Sequence, residues 1–145
     1  MSETVPGGAG RPNPDDAALE ALVEAAGAIR VHAYAPYSGF WVGAAVLSGD
    51  RVFTGVNVEN ASFPLGVCAE RNAVAAMIAS GSRRIEAVAV VTDGDVPTPP
   101  CGGCRQCLWE FGRDAVVVAH TPRGGRARWT LADLLPSAFG PSDLE

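Results

Sequence analysis

The spacing of apolar positions divides the chain into alternating helices and strands. Leu19, Leu22, Val23, Ala26 and Ile29 recur at three-four intervals behind Asp15 and Asp16. That periodicity predicts a first helix with one buried face, capped by either aspartate and ended by Pro36 in the turn Ala35-Pro36-Tyr37-Ser38-Gly39. Two short apolar runs, 41–47 and 51–58, flank Gly49 and Asp50. Both residues suit a tight hairpin turn, so the runs read as antiparallel strands. A second helix is expected from about Cys68 to Ser80, with Gly81 as its stop. The Val-rich run 85–92 is apolar throughout, as a strand covered on both faces should be. A proline-rich loop, 93–100, leads to a third helix beginning near Cys101. Further strands are expected at 115–119 and, as a short edge, at 127–130. Thr130 and Asp133 have capping-box spacing ahead of Leu131, Leu134 and Leu135. The alternation predicts one layered α/β domain over 15–145. Residues 1–14, which hold Gly7, Gly8, Gly10, Pro6, Pro12 and Pro14, are expected to form a disordered tail.

Composition narrows the function classes. The 145 residues are 48% hydrophobic and 19% charged, and the net charge is −5. Such a balance argues against a phosphate backbone as ligand, because a basic patch is the usual footprint of nucleic-acid binding. No run is long and apolar enough to suggest a membrane span. The start lacks the basic-then-apolar order of a secretory signal. The cytoplasm is the expected compartment, and the four cysteines are expected to be reduced.

Three of those cysteines carry the candidate chemistry. Cys68 stands at the start of the second helix, and Cys101 and Cys104 at the start of the third. Cys101 and Cys104 are one helical turn apart, so both sulfurs can face one ion, and the positive end of a helix favours thiolates. Three protein ligands leave one corner of a tetrahedral zinc open, the mark of a catalytic site. Glu70, two residues after Cys68, is a carboxylate within reach of that corner. Cys101-x-x-Cys104-x-x-Cys107 can also be drawn as a closed site. Cys107, however, lies about 9 Å along a helix from Cys101, too far for sulfurs on one ion at ~2.3 Å, and reads as a buried apolar side chain. Alone, Cys101 and Cys104 would equally suit a structural zinc knuckle, and Glu70 a solvated helix residue. Arg71 or Arg105 is placed to offset the negative charge of three thiolates. His32 and His120 have no ligand spacing and read as surface or strand-end residues; Trp109 and Trp129 read as packing residues.

Val67-Cys68-Ala69-Glu70-Arg71 together with Pro100-Cys101-Gly102-Gly103-Cys104-Arg105-Gln106 is the three-cysteine form of the zinc deaminase signature. With 35–40, Asn57-Val58-Glu59-Asn60 and the tail 134–141, the chain resembles the small homotetrameric cytidine deaminases from Tyr34 to Leu144. The resemblance implies a three-layer α/β/α fold around a five-stranded mixed sheet, one Zn²⁺ per subunit and a homotetramer. It implies that Cys68, Cys101 and Cys104 hold the metal and that Glu70 moves the proton. It further implies that Asn57 and Glu59 hold the ribose 3′-hydroxyl, that Phe40 packs on the base, and that the Ala69 N–H binds the pyrimidine carbonyl. Phe139 would approach a neighbouring subunit's site. Phe63 departs from the pattern, since relatives often carry tyrosine there, and no hydroxyl contact is expected from it.

The expected activity is hydrolytic deamination of cytidine and 2′-deoxycytidine, in pyrimidine salvage. A deaminase of another aminopyrimidine nucleoside, of the blasticidin S type, and a non-catalytic zinc module are the competing readings. A small-molecule nucleoside, not nucleic acid or a membrane, is the expected partner.

Overall fold

The computed structural model describes residues 13–145, so nearly all of the expected tail 1–14 lies outside the described residues. Helix α1, Asp16–Arg30, starts as its sequence predicts: the Asp15 side chain caps it, accepting from the Ala18 N–H at 2.8 Å. Leu19, Leu22 and Ala26 form its buried face. Its end departs from expectation, because Pro36 does not stop it. The helix is already over at Arg30, since strand-like pairing claims the following chain. Tyr34 N donates to the Asn57 carbonyl at 3.0 Å, and Glu59 N donates to the Tyr34 carbonyl at 2.8 Å.

Strands β1 (Val42–Ser48) and β2 (Arg51–Val56) form the expected hairpin, with Ser48 opposite Arg51 and Gly49 at φ +66°. Glycine adopts that conformation without strain. Strand β2 ends two residues sooner than expected, because Val58 pairs instead with Tyr34 and Val67. Helix α2 spans Ala69–Ala79, and Gly81, at φ +95°, follows its end. Strand β3 (Ala87–Thr92) is buried at every position, as its unbroken apolar run requires. Helix α3 (Gly102–Phe111), strand β4 (Val116–His120) and edge strand β5 (Arg126–Thr130) follow. Thr130 and Asp133 complete the predicted capping box on the short α4, Leu131–Leu134. The periodicity gave no sign of the 3₁₀ turns at Phe63–Leu65 and Pro141–Leu144.

The strand order is β2-β1-β3-β4-β5, with β3 and β4 parallel and every other pair antiparallel. The result is the expected mixed sheet of five strands. Alternation along the strands separates two cores. Val88, Val90, Val46 and Val117 pack with Val74 and Met77 of α2 and Leu108 of α3. Ala45, Ala87, Ala89 and Val91 pack on the other face with Leu19, Leu22 and Ala26 of α1.

Two glycines set how closely the layers approach. A Cβ at Gly43 would lie 2.0 Å from the Ala26 carbonyl oxygen of α1. One at Gly55 would lie 2.4 Å from both the Ala69 oxygen and the Ala73 nitrogen of α2. The second contact matters for function, because it seats the first turn of α2, with Cys68 and Glu70, directly on the sheet. Asn72 secures the same turn by donating to the Val56 carbonyl at 2.8 Å.

Candidate metal centre and substrate pocket

Cys68 is the N-cap of α2 and Cys101 the N-cap of α3, and neither sulfur caps its own helix. Both are therefore free to point away from the backbone. With Cys104, on the first turn of α3, they form the one group of three or more such ligands found among the described residues. Their sulfurs all lie within 4.8 Å of one another. Cys68 and Cys101 are 3.8 Å apart, sulfur to sulfur. Tetrahedral zinc with bonds of ~2.3 Å requires about 3.8 Å between ligating sulfurs, so the donor set fits that ion. Cys107 stands outside the group, half-buried against the α2/α3 core, and burial raises its pKa.

The electrostatics of the trio call for a cation. The Cys68 thiol is brought down to about 6, first by hydrogen bonding from Cys104, with Cys101 and the positive charge of Arg71 helping. Cys104 moves the opposite way, because its hydrogen bond to Cys68, its burial and the charge of Glu70 all favour the protonated form. Packed sulfurs thus cannot all ionise by themselves, whereas zinc binds them as thiolates. Arg71 acts in the expected sense. Arg105 instead directs its guanidinium at two main-chain oxygens, those of Pro100 and Leu134, each at 2.8 Å.

Glu70 is only 5% exposed. Burial raises its pKa, and the charge of Cys68 adds to the effect; its own backbone N–H and the Cys104 thiol, as hydrogen-bond donors, oppose it. The structure therefore brings Glu70 and the sulfurs together, as the two-residue spacing from Cys68 predicts. A carboxyl raised in this way is shifted toward its protonated form, the direction that acid-base catalysis favours.

A cavity of about 460 Å³ opens beside Cys68, lined also by Tyr37, Ser38, Asn57, Glu59 and Phe63 among others. Both expected ribose ligands thus share one cavity with Cys68 of the sulfur trio. Both also hold their own chain. Asn57 Oδ1 accepts from Val42 N at 2.9 Å, and its Nδ2 donates to the Phe40 carbonyl at 2.7 Å. Glu59 accepts from the N–H groups of Tyr37 and Ser38 at 3.0 and 3.1 Å, and from the Ser38 hydroxyl at 2.6 Å. Those bonds, the Ser38 hydroxyl first, hold the Glu59 pKa below the ordinary carboxylate value. An amide retains a further N–H, and a carboxylate further lone pairs, so both can still meet a hydroxyl.

Phe40, Ala69, Glu70 and Phe139 lie outside that cavity's lining. Phe40 is tethered to the site through its carbonyl on Asn57, Ala69 begins α2, and Phe139 is exposed on the C-terminal segment. Phe63 does line the cavity, and its ring meets Tyr37 edge-on, with centroids 5.8 Å apart. His32 is exposed and His120 ends β4, while Trp109 and Trp129 pack on the α2/α3 core. Sequence reasoning assigned no part to Ser38. Its bonds to Glu59 cross 21 residues, beyond any local signal.

Residues 16–120 match the family model described as "Cytidine and deoxycytidylate deaminase zinc-binding region". The chain is 43% identical over 125 residues to the cytidine deaminase of Halalkalibacterium halodurans, covering 85% of this chain and 95% of the relative. It is 48% identical over 113 residues to that of Mycobacterium tuberculosis, covering 77% and 82% respectively. Among solved structures, the cytidine deaminase of Burkholderia pseudomallei superposes with a TM-score of 0.80 at 48% identity, covering 83% of this chain and 98% of that one. A sulfur trio that fits zinc, a buried glutamate beside it and these likenesses agree: the chain belongs to the cytidine and deoxycytidylate deaminase zinc-binding family.

Proposed function

We propose that this protein hydrolyses the C4 amino group of cytidine and 2′-deoxycytidine, giving the uracil nucleoside and ammonia. The observation that carries the reading is the junction at Cys68. Cys68 belongs to the sulfur trio beside Glu70 and also lines the cavity that holds Asn57 and Glu59. Asn57 and Glu59 in the wall suit a sugar hydroxyl, and the shared Cys68 brings that wall next to the metal centre.

Cys68, Cys101 and Cys104 would hold the zinc. When bound, zinc would supply Lewis acidity, which lowers the pKa of water toward about 7. Glu70 takes a proton from the attacking water and delivers it to N3 of the base, making C4 electrophilic. The remaining hydroxyl oxygen bonds to C4; Glu70 then takes the proton of that C4 hydroxyl and passes it to the amino group, so that the C4–N bond breaks, the C4 carbonyl forms and ammonia leaves. Asn57 and Glu59 receive the ribose 3′-hydroxyl, the amide donating and the carboxylate accepting. The N–H of Ala69, free at the start of α2, binds the pyrimidine carbonyl, and Phe40 packs against the base. Preference for a plain nucleoside over a blasticidin-type substrate follows from Asn57 and Glu59 facing the cavity.

The working form is proposed to be a homotetramer of single deaminase domains, each spanning 15–145. Phe63 at 75%, Leu65 at 65% and Phe139 at 57% exposure leave apolar surface that neighbouring copies would cover, and Phe139 would then reach a neighbour's site. Reduced thiol ligands suit the cytoplasm, and recycling of pyrimidine nucleosides is the matching role. No helix of the described residues is long and apolar enough to cross a membrane.

An ultraviolet assay with cytidine, with and without a zinc chelator, tests the reading. Conversion to uridine that stops on chelation and returns with zinc is expected. Bound zinc without ammonia release from any cytosine nucleoside would leave only a structural zinc module.

A further inference from the structure

Cys101 is the exposed member of the sulfur trio, whereas Cys104 is buried and Cys68 half-buried. Packing therefore does little to aim its side chain, and its direction rests on the backbone that carries it. One residue holds that backbone on both sides. The Arg105 Nε donates at 2.8 Å to the Pro100 oxygen, on the peptide leading into Cys101. The Arg105 main-chain N–H donates at 2.9 Å to the Cys101 oxygen, on the peptide leading out. Each peptide is a rigid plane, so holding both planes fixes the dihedrals between them. For Cys101 these are φ −65° and ψ 166°. A third arm of the same residue, NH1, donates at 2.8 Å to the Leu134 oxygen at the end of α4.

We propose that Arg105 is a positioning residue for the metal centre, a clamp that sets the direction of Cys101 and ties it to the end of α4. The inference rests on the zinc reading above and deepens it. Geometry, not charge alone, is the working property. The planar guanidinium presents its donors in fixed directions and meets two carbonyls at once, whereas a lysine ammonium is a single point on a flexible stem. Arg105→Lys therefore keeps the charge and removes the fork. Gln106→Ala is the matched control. Gln106 ties the same C-terminal segment to the same helix, donating to the Phe139 carbonyl at 2.9 Å.

Zinc affinity of the wild type and both variants, measured by competition with a chromophoric chelator, tests the clamp. Arg105→Lys should bind zinc ~10-fold or more weakly, in line with other residues that orient metal ligands. Cobalt in its site should show weaker sulfur-to-metal absorption, and Gln106→Ala should match the wild type in both. Wild-type zinc affinity in folded Arg105→Lys, or equal losses in both variants, would overturn the clamp. Should Arg105→Lys fail to fold, the Arg105 Nε–H of the zinc-loaded wild type decides by NMR. Protection from solvent exchange supports the clamp, and exchange as fast as that of the exposed Arg71 removes it. A wild type that binds no zinc would overturn the zinc reading itself, and this inference with it.

Discussion

Glu70 and Glu59 border the same site, and their surroundings drive them in opposite directions. Glu70 sits in the first turn of α2, buried beside the sulfurs, and its pKa is raised chiefly by that burial. Glu59 lies at the cavity wall, and donors from Tyr37 and Ser38 keep its pKa low. One carboxyl is shifted toward its protonated form, the other toward its ionised form. Identical chemistry is thus tuned in two directions by its environment, as the two proposed tasks require.

The largest effect expected from breaking this contrast comes from the sulfur side. Cys104→Ala removes the buried ligand, and zinc content should fall to a small fraction of wild type, with ammonia release falling alongside it. Metal analysis of the purified variant checks this, and full zinc occupancy would contradict the ligand assignment. On the wall, Asn57→Ala should act on substrate binding. It also leaves the Val42 N–H and Phe40 carbonyl without their partner, at a cost of about 1–3 kcal/mol in stability. KM for cytidine should rise more than kcat falls. A variant that loses kcat alone would move Asn57 out of the ribose role.

Gly55→Ala tests how the sheet seats Glu70. The new methyl group meets α2 main chain, so unfolding in denaturant should show a loss of about 1–3 kcal/mol. An unchanged midpoint would mean that α2 shifts freely on β2. The smallest effect belongs to Ser38→Ala, which removes the main cause of the low Glu59 pKa. The sign follows from linkage. A depressed folded pKa contributes stability that is complete above the ordinary value of 4.5 and disappears as pH falls through the folded value. Without the Ser38 hydroxyl, the Glu59 titration should move upward toward 4.5 and the acid-side loss begin at higher pH. Carboxyl NMR of the two proteins reads the shift, and coincident curves would rule the hydroxyl out as its cause.

The two glutamates also differ in how far the sequence disclosed them. Glu70 and the three sulfurs were legible because their relations are local: two residues, one helical turn, two helix starts. The sheet's strands were legible from apolar runs, and α2 and α3 from their flanking residues. What was not legible depends on distant pairing. Pro36 looked like the end of α1, but the bonds from Tyr34 to Asn57 and Glu59 had already drawn the chain away. The bonds that tune Glu59 and the Arg105 contact with Leu134 join residues far apart in sequence, and only the folded chain brings them together.

The central claim is that the buried carboxyl of Glu70 moves the proton beside a zinc held by three sulfurs. Glu70→Gln keeps the size and the ligands while removing proton transfer, so its zinc content and cytidine turnover measure the claim directly. One zinc per chain with kcat lowered ~10²–10⁴-fold is the expected result. Turnover near that of the wild type, with zinc in place, would contradict it.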